Sequence, residues 1–564
     1  VTDAYDPPRP WIHSYAPGVP EDLPPMRGSL MDLVAESAAD YPNAPALEFF
    51  GRVTSYAELA AAIERAAAGL RAQGVRKGDP VALVLPNCSQ HIIAFYAVLR
   101  LGAIVVEHNP LYTARELRKQ FEDHGAKHAI VWSKVARTIQ EFPDDLVVDS
   151  LVSVDVTRGM PAPMRAALSL PIPKLREMRG QLTERVRGAI SWEAIAGYAP
   201  LDASVPGPET DDIAIIQYTS GTTGDPKGAA LTHRNLLANA AQARAWTPDV
   251  ARGEGVVVYA VLPMFHAYGL TLCLTFAMSQ AARLVLFPKF DPDMVLKVTK
   301  KRPATVLPAV PPIARRLLAR AQEKGISLAG TQIGVSGAMA LDDALVVPWE
   351  EETGGMLVEG YGLSECSPVL IVNPVSEDRK AGTIGLPLPG TECRVVDPDE
   401  PEKDVAPGQP GELVVRGPQV FSGYYGRPEE TERAFVGGWF RTGDIVEMDE
   451  DGFFTVVDRI KELIITGGFN VAPTEVEIAL RQHASIHEAA VVGLPGKNGE
   501  DVVAAVVLDE ATEIDEEEVR EFVKRILTPY KAPRRIVVVD ELPTSMIGKV
   551  LRRQVKERLL ASDD

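Results

Sequence analysis

The chain has 564 residues, 46% of them hydrophobic and 24% charged, which is too long for one hydrophobic core and ordinary for a globular protein of more than one domain. Its formal charge of −19 argues against a nucleic-acid partner and requires any anionic ligand to be met by a local cluster of cations. With no apolar run long enough for a bilayer, no CxxC pair among Cys88, Cys273, Cys366 and Cys393, and no HExxH spacing, a membrane span, a disulfide framework and a zinc site are not expected.

The N-terminal residues carry no basic start followed by a hydrophobic stretch, so no export signal is expected, and the sparse cysteines fit a reducing, cytoplasmic compartment. Residues 81–85 predict a strand followed by a helix over 90–100; a charged helix over 114–124 precedes a strand over 128–132. This alternation of short apolar runs with amphipathic stretches continues to about residue 380 and predicts mainly parallel sheets with helices on their faces. One segment departs from the acidic average. Residues 158–188 hold seven basic side chains against two acidic ones, mixed with Met160, Met164, Leu168, Leu170, Leu175 and Met178 and broken by prolines. Two readings stand for it: a surface insertion that lies on an anionic bilayer, and a solvated loop packed on the body.

The apolar run Ile213, Ala214, Ile215, Ile216 leads into YTSGTTGDPKG, residues 218–228. Glycines there let backbone N–H groups turn toward an anion, Ser and Thr hydroxyls add donors, and Lys227 supplies mobile positive charge, so the loop reads as a polyphosphate cradle. It is not a Walker A loop, because Pro226 and Gly228 flank the lysine where glycine and Ser or Thr are needed. The same composition also suits a flexible surface connection. Residues 256–278 predict a buried strand and then a helix, interrupted by Pro263 and His266. A strand over 305–307 and a helix over 313–324 follow, then Gly337 and Ala338 after another β-rich run. Glu359-Gly360-Tyr361-Gly362-Leu363-Ser364-Glu365 sets an aromatic face for a base beside a carboxylate suited to a hard cation such as Mg²⁺.

Beyond Ala381 the strands become Gly/Pro-punctuated, at 411–416, 445–448 and 452–457, and predict an antiparallel meander or small barrel. Trp439-Phe440-Arg441-Thr442-Gly443-Asp444 ends a strand-like region with a carboxylate suited to accept two hydroxyl hydrogen bonds from a ribose. From Arg459 a compact α+β unit is expected, with strands at 489–492, 502–508 and 536–539 and helices at 474–481 and 515–526. Near the chain end, Pro543-Thr544-Ser545-Met546-Ile547-Gly548 hangs Lys549 from a turn.

YTSGTTGDPKG, YGLSE, RTGD, DRIKELIITGGFNVAPTEVE and PTSMIGKVLRR occur in an order that resembles the adenylate-forming acyl-CoA synthetases, the ANL superfamily that also holds firefly luciferase and peptide-synthetase adenylation domains. NPLYTARELRKQ at 109–120 and the basic insertion resemble the long-chain fatty acid branch. The resemblance implies an α/β fold: a large N-terminal domain, 1–458, of mainly parallel sheets with a small β-barrel-like subdomain, and a small mobile α+β domain, 459–564. It implies that ATP or AMP is bound by Thr219, Ser220, Thr222, Thr223 and Lys227 at the phosphates and by Gly337, Ala338 and Tyr361 around the adenine, with Gly221, Gly224, Glu359, Gly360, Gly362 and Ser364 also in the nucleotide site. Asp444, Val456 and Arg459 would meet the ribose and α-phosphate. Lys549, Glu365 and His266 would be catalytic, Thr219 and Glu365 would position Mg²⁺, Lys461 would be the hinge, and Gly467, Gly468 and Phe469 would form the passage for CoA. The implied substrates are ATP, a fatty acid and CoA, with medium-chain or aryl acids and a separate carrier protein as alternatives, and a homodimer is compatible. Ser364 replaces the Thr of the common motif, keeping its hydroxyl, and Asn470 stands where some relatives carry Arg.

Overall fold

The computed structural model describes residues 8–143, 145–219, 226–253, 255–466, 469–496, 499–509, 514–545 and 548–561, with the side chains of Phe469 and Asn470 outside that description. The chain divides into two compact units: Ser14–Thr391 with Arg416–Arg433, and Val1–His13 with Glu392–Val415 and Ala434–Asp564.

Among its described residues the larger unit holds a nine-stranded and an eight-stranded sheet. In the first, Met356–Gly362, Ile333–Ser336, Val306–Ala309, Val257–Ala260, Arg283–Leu286 and Pro45–Phe49 are parallel neighbours. In the second, Ile213–Thr219, Ile104–Glu107, Pro80–Val84, His128–Trp132 and Ser150–Val154 are parallel, and Lys227–Thr232 folds back antiparallel on Ile213–Thr219. Helices cover these sheets because their apolar stripes match the buried strand faces. Ala114–His124 shows how the sequence sets one: Thr113 and Glu116 form a reciprocal capping box, Gly125 ends the helix in the left-handed region, and Leu117 and Phe121 pack on Ala82, Val84 and Val131.

Among its described residues the smaller unit holds two five-stranded sheets. One joins Glu392–Val396, Gly411–Arg416, Phe435–Val436, Trp439–Met448 and Phe454–Arg459. The other pairs Ile464–Thr466, Phe469–Val471, Ile486–Gly496, Gly499–Leu508 and Arg535–Val538, with Pro473–Arg481 and Glu516–Ile526 closing a core of Ile464, Val476, Val491, Ala504 and Val523.

Three details depart from the sequence expectations. Asp444 sits inside the strand Trp439–Met448 rather than at its end, because the left-handed Gly443 (φ +73°) lets the strand bend and continue. The helical stretch after His266 is not regular: Leu270–Thr275 is π-helical between Ala267–Gly269 and Phe276–Ser279. The basic insertion folds into two helices, Ala162–Leu168 and Pro173–Leu182. Compactness also groups 392–415 and 434–458 with the C-terminal stretch, whereas the sequence reading closes the large domain at 458. Arg552 is the stitch: it lies 3.6 Å from Asp458, pairs with Glu462, and reaches Glu477 at 2.7 Å.

Candidate functional site

In the larger unit, the site residues gather at the carboxyl ends of parallel strands, where open α/β sheets leave a crevice for ligands. Thr219 ends Ile213–Thr219 and pairs in register with Lys227 across an antiparallel hairpin. The segment that links them therefore connects two paired strands, whereas a Walker loop connects a strand to a helix. Ser220, Gly221, Thr222, Thr223 and Gly224, the tip of the expected cradle, lie outside the described residues. Gly228 is required by packing: a Cβ there would come within 2.5 Å of Ile216 Cγ2. The ammonium of Lys227 rests 5.2 Å from the ring centroid of Tyr424.

Gly337 and Ala338 follow Ile333–Ser336, and Glu359 to Gly362 close the neighbouring strand, with Ser336 opposite Glu359. A Cβ on Gly337 would meet the Tyr268 ring at 3.1 Å and the Gly360 carbonyl at 3.2 Å, and Ala338 holds φ +64°, a left-handed conformation uncommon for alanine. Two strand ends thus approach closely, with Gly337 N–H donating to the Ala309 carbonyl and Gly360 paired with Val372 of the next strand. Burial pushes the Glu359 carboxyl up to about 8. Tyr361 is half-buried at the same strand end.

Ser364 opens the short turn Ser364–Cys366, which carries Glu365, 8% exposed. Phe421 N–H donates to its backbone carbonyl at 2.8 Å, and the Tyr424 hydroxyl donates to Glu365 Oε1 at 2.9 Å. Burial and the Glu365 charge push the Tyr424 phenol up, so it stays a donor. Glu365 and Thr219 offer oxygen donors suited to Mg²⁺, and no cluster of three or more His, Cys, Asp and Glu able to hold an ion exists among the described residues. One carboxylate and one hydroxyl oxygen fit a cation which arrives with substrate phosphates and takes one carboxylate from the protein. His266 caps Ala267–Gly269, its Nδ1 accepting Tyr268 N–H at 3.3 Å. Its loop is fixed from below: Asn87 bonds Ala260, Leu262 and Met264 of the backbone, and Gln217 donates to the Phe265 carbonyl.

The smaller unit brings together a second set. Asp444, 2% exposed, faces Arg459 across paired strands, and their side chains form an ion pair of 2.9 Å. Val456 lies on the same strand as Arg459, opposite Val446. Lys549 hangs from the expected turn: Ser545 N–H donates to the Lys549 carbonyl at 2.7 Å, Lys549 N–H to Ser545 Oγ at 3.1 Å, and Gly548 takes φ +81°. Burial, reinforced by the Arg459 charge and opposed by Glu462 and Asp444, lowers the Lys549 ammonium to about 8. The arrangement thus pairs Asp444 with Arg459 and sets both near enough to Lys549 for their charges to act on its ammonium. Lys461 is exposed in the turn Ile460–Glu462. Gly467 and Gly468 lie outside the described residues, as does the Phe469 side chain. Beside Thr466 a cleft of about 460 Å³ is lined by Arg520, Lys524, Tyr530 and Arg534.

Sequence reasoning missed Tyr424, Asn87 and Arg552. Tyr424 carried a faint signal, a tyrosine pair between Gly423 and Gly426, but its contacts span 59 residues to Glu365 and no spacing rule reaches that far.

Residues 34–425 match the AMP-binding enzyme family, and residues 475–549 match the AMP-binding enzyme C-terminal domain. The chain is 36% identical over 561 residues to the long-chain-fatty-acid–CoA ligase of Bacillus subtilis (strain 168), covering 97% of this chain and 98% of that protein. ATP-bound MatB from Rhodopseudomonas palustris has a similar structure, with a TM-score of 0.78 and 30% identity over 94% of this chain and 99% of that one. So has o-succinylbenzoate CoA synthetase (MenE) from Bacillus subtilis in complex with its acyl-adenylate intermediate, with a TM-score of 0.75 and 27% identity over 94% and 98% of the two chains.

Proposed function

The chain belongs to the AMP-binding enzyme family and is an adenylate-forming acyl-CoA ligase, and we propose that the acid it activates is a long-chain fatty acid. The observation that carries the proposal is the full-length match to a long-chain-fatty-acid–CoA ligase, 36% identical over 97% of this chain.

In the first step a carboxylate oxygen attacks the α-phosphorus of ATP, the bond to the bridging oxygen breaks, and pyrophosphate leaves with acyl-AMP formed. Two anions meet there, so cations aimed at the α-phosphate are the main means of lowering the barrier. Lys549 takes that role; Arg459 supports it and Asp444 receives the ribose hydroxyls. Thr219 and Lys227 hold the outer phosphates, Gly337, Ala338 and Tyr361 take the adenine, and Glu365 with Thr219 would hold Mg²⁺, which would neutralise phosphate charge. In the second step the sulfur of CoA attacks the acyl carbon, the C–O bond to AMP breaks, and the thiol proton passes to solvent. The cations lining the cleft beside Thr466 support recognition of a phosphate-bearing thiol. The C-terminal domain turns about Lys461 between the steps, exchanging Lys549 for the Gly467-Gly468-Phe469 segment.

A ladder of carboxylic acids from hexanoate to stearate, incubated with ATP, Mg²⁺ and CoA, tests the assignment. AMP and pyrophosphate should appear together with CoA thioester, fastest with the longer chains. A maximum at medium-chain or aromatic acids sinks the long-chain assignment, and acyl-AMP that accumulates with CoA but is consumed by an acyl carrier protein sinks the CoA step.

A further inference from the structure

Ser367 follows the turn that carries Glu365, and its backbone takes φ +72°, the left-handed region that glycine occupies without strain. A serine there is explained by its side chain: Ser367 Oγ, fully buried, donates to the Gln419 carbonyl at 2.8 Å. The Ser367 carbonyl accepts from Thr271 Oγ1 at 2.5 Å, and Thr271 is equally buried. Thr271 stands in the π-helical stretch Leu270–Thr275, just beyond His266, whose carbonyl accepts Leu270 N–H at 2.9 Å. Gln419 belongs to a strap of backbone, 418–421, that is pinned twice more: Asn235 Nδ2 donates to the Pro418 and Val420 carbonyls, both at 2.9 Å. Asn235 lies in the first turn of His233–Ala245, the helix that continues the strand of Lys227. The strap also donates Phe421 N–H to the Glu365 carbonyl, and Leu363 N–H closes the base of the turn on the Pro368 carbonyl. The Glu365 turn is thus hydrogen-bonded both to the strap and to the π-helical stretch.

Resting on the assignment of Glu365 to a phosphate-borne Mg²⁺, we propose that Ser367 and Thr271 are positioning residues which fix the backbone that presents Glu365, and so govern how strongly the nucleotide site takes a divalent cation. The turn has little hold of its own, since Ser367 N–H reaches the Ser364 carbonyl only at 3.4 Å. A left-handed serine persists where its surroundings over-determine it, and here two buried hydroxyls do so, each costly to leave without its bond. Were they lost, rotation about the Ser367 backbone would displace Glu365 two residues upstream. Mg²⁺ demands oxygen ligands at closely fixed distances, so a small displacement of the carboxylate weakens the cation before it weakens nucleotide held by other groups.

The test is equilibrium binding of a fluorescent ATP analogue by the full chain, in EDTA and across a Mg²⁺ titration, with thermal unfolding measured beside it. Ser367→Gly loses the hydroxyl but relieves the backbone, two effects of opposite sign on stability. Its Tm is expected within about 2 °C of wild type, while half-saturating Mg²⁺ rises about ten-fold. Ser367→Ala loses the hydroxyl and keeps the strain, so it should unfold several degrees lower yet need the same extra Mg²⁺ as Ser367→Gly. Thr271→Val should raise the Mg²⁺ requirement in the same direction, and Thr271→Ser, which keeps the hydroxyl, should match wild type. In EDTA each variant should bind within about two-fold of wild type. A Mg²⁺ requirement that follows Tm instead of the hydroxyl overturns the proposal, as does a loss of binding in EDTA equal to that in Mg²⁺. Glu365→Gln separates the two levels. If it raises the Mg²⁺ requirement and the Ser367 variants do not, the positioning role alone falls; if it leaves the requirement unchanged, the assignment of Glu365 to the cation falls as well.

Discussion

In the larger unit Lys227 rests on a neutral ring and Glu365 accepts from a phenol, whereas in the smaller unit Asp444 is already paired with Arg459, and Arg552 is ringed by Asp458, Glu462 and Glu477. The first set is held by backbone: strand ends, tight glycines and strand pairing place Lys227 against the ring and Glu365 against the phenol. The second is held by charge, so Arg459 has a carboxylate to leave before it takes a substrate anion. Groups of the first kind bind a polyphosphate at small rearrangement; groups of the second kind can exchange partners, which suits the part of an enzyme that must serve two reactions.

The contrast breaks most visibly at Arg552. Removing a largely buried cation from three carboxylates leaves them uncompensated, so Arg552→Ala is expected to destabilise the smaller unit by ~3–5 kcal/mol. Denaturant unfolding monitored on that unit checks it. A change under about 1 kcal/mol would show that the charges are solvated and that the contrast with the larger unit is false.

Next in size is Lys549. Lys549→Ala is expected to slow acyl-AMP formation by at least about 10²-fold, ~3 kcal/mol, the usual effect of removing one charge-stabilising contact, while thioester formation from supplied acyl-AMP is largely kept. Gly468→Leu should do the reverse, because a side chain would fill the passage for the thiol arm. Quenched-flow measurement of each half-reaction separates them. Equal loss in both reactions for both variants removes the division of labour.

Acidity sharpens the same point. With the Lys549 ammonium lowered to about 8, adenylation should hold below that pH and fall above it, approaching ten-fold per unit. Stability should move the other way. The folded value lies below the ordinary 10.5, so between about 8 and 10.5 the unfolded chain binds more protons and this group favours folding as pH rises. Activity that falls while thermal stability does not therefore identifies deprotonation rather than unfolding. Lys549→Arg should carry the limb above pH 10, whereas Glu359→Gln should leave it in place, although the Glu359 carboxyl is pushed up into the same range. A limb that follows Glu359 instead would reassign it.

Much of this was legible because the chemistry is written locally. Residues 114–124 and 128–132 were readable to the residue as helix and strand, since a capping box, a terminal glycine and β-branched runs are short-range signals. The segments holding Thr219, Lys227, Glu365, Asp444 and Lys549 were readable for the same reason: each needs glycine or proline beside a charge. What stayed hidden depends on distant pairs. Tyr424 meets Glu365 and Lys227 only through the pairing of Gly423–Tyr424 with Lys227–Thr232, and Arg552 meets Asp458 only after the smaller unit has folded. The continuation of the strand through Asp444 was missed because a glycine before a carboxylate reads as a stop, while Gly443 here bends the strand and lets it run on.

The smallest expected effect concerns the basic helices of the larger unit, which have neither kind of partner. Pro173–Leu182 buries no residue, and its end is tethered by Trp132 Nε1 donating to the Leu182 carbonyl and Lys134 Nζ to that of Gly180. Lys174, Arg176 and Arg179 stand exposed among Leu170, Ile172 and Met178, which are 50%, 48% and 44% exposed. Basic charge around exposed apolar side chains on a chain of net charge −19 is the pattern expected of a surface that meets anionic lipid, and we propose that this one does. A single basic residue near such a surface contributes ~1 kcal/mol, so Arg176→Gln should lower partition onto phosphatidylserine vesicles about five-fold at low salt. In 1 M salt that difference should vanish, because screening then acts over about 3 Å, whereas the loss caused by Met178→Ser should persist. Sedimentation with vesicles at both salt concentrations decides it: a wild type that stays in the supernatant at low salt, or an Arg176→Gln chain that partitions like wild type, would mean that these helices are solvated surface and nothing more.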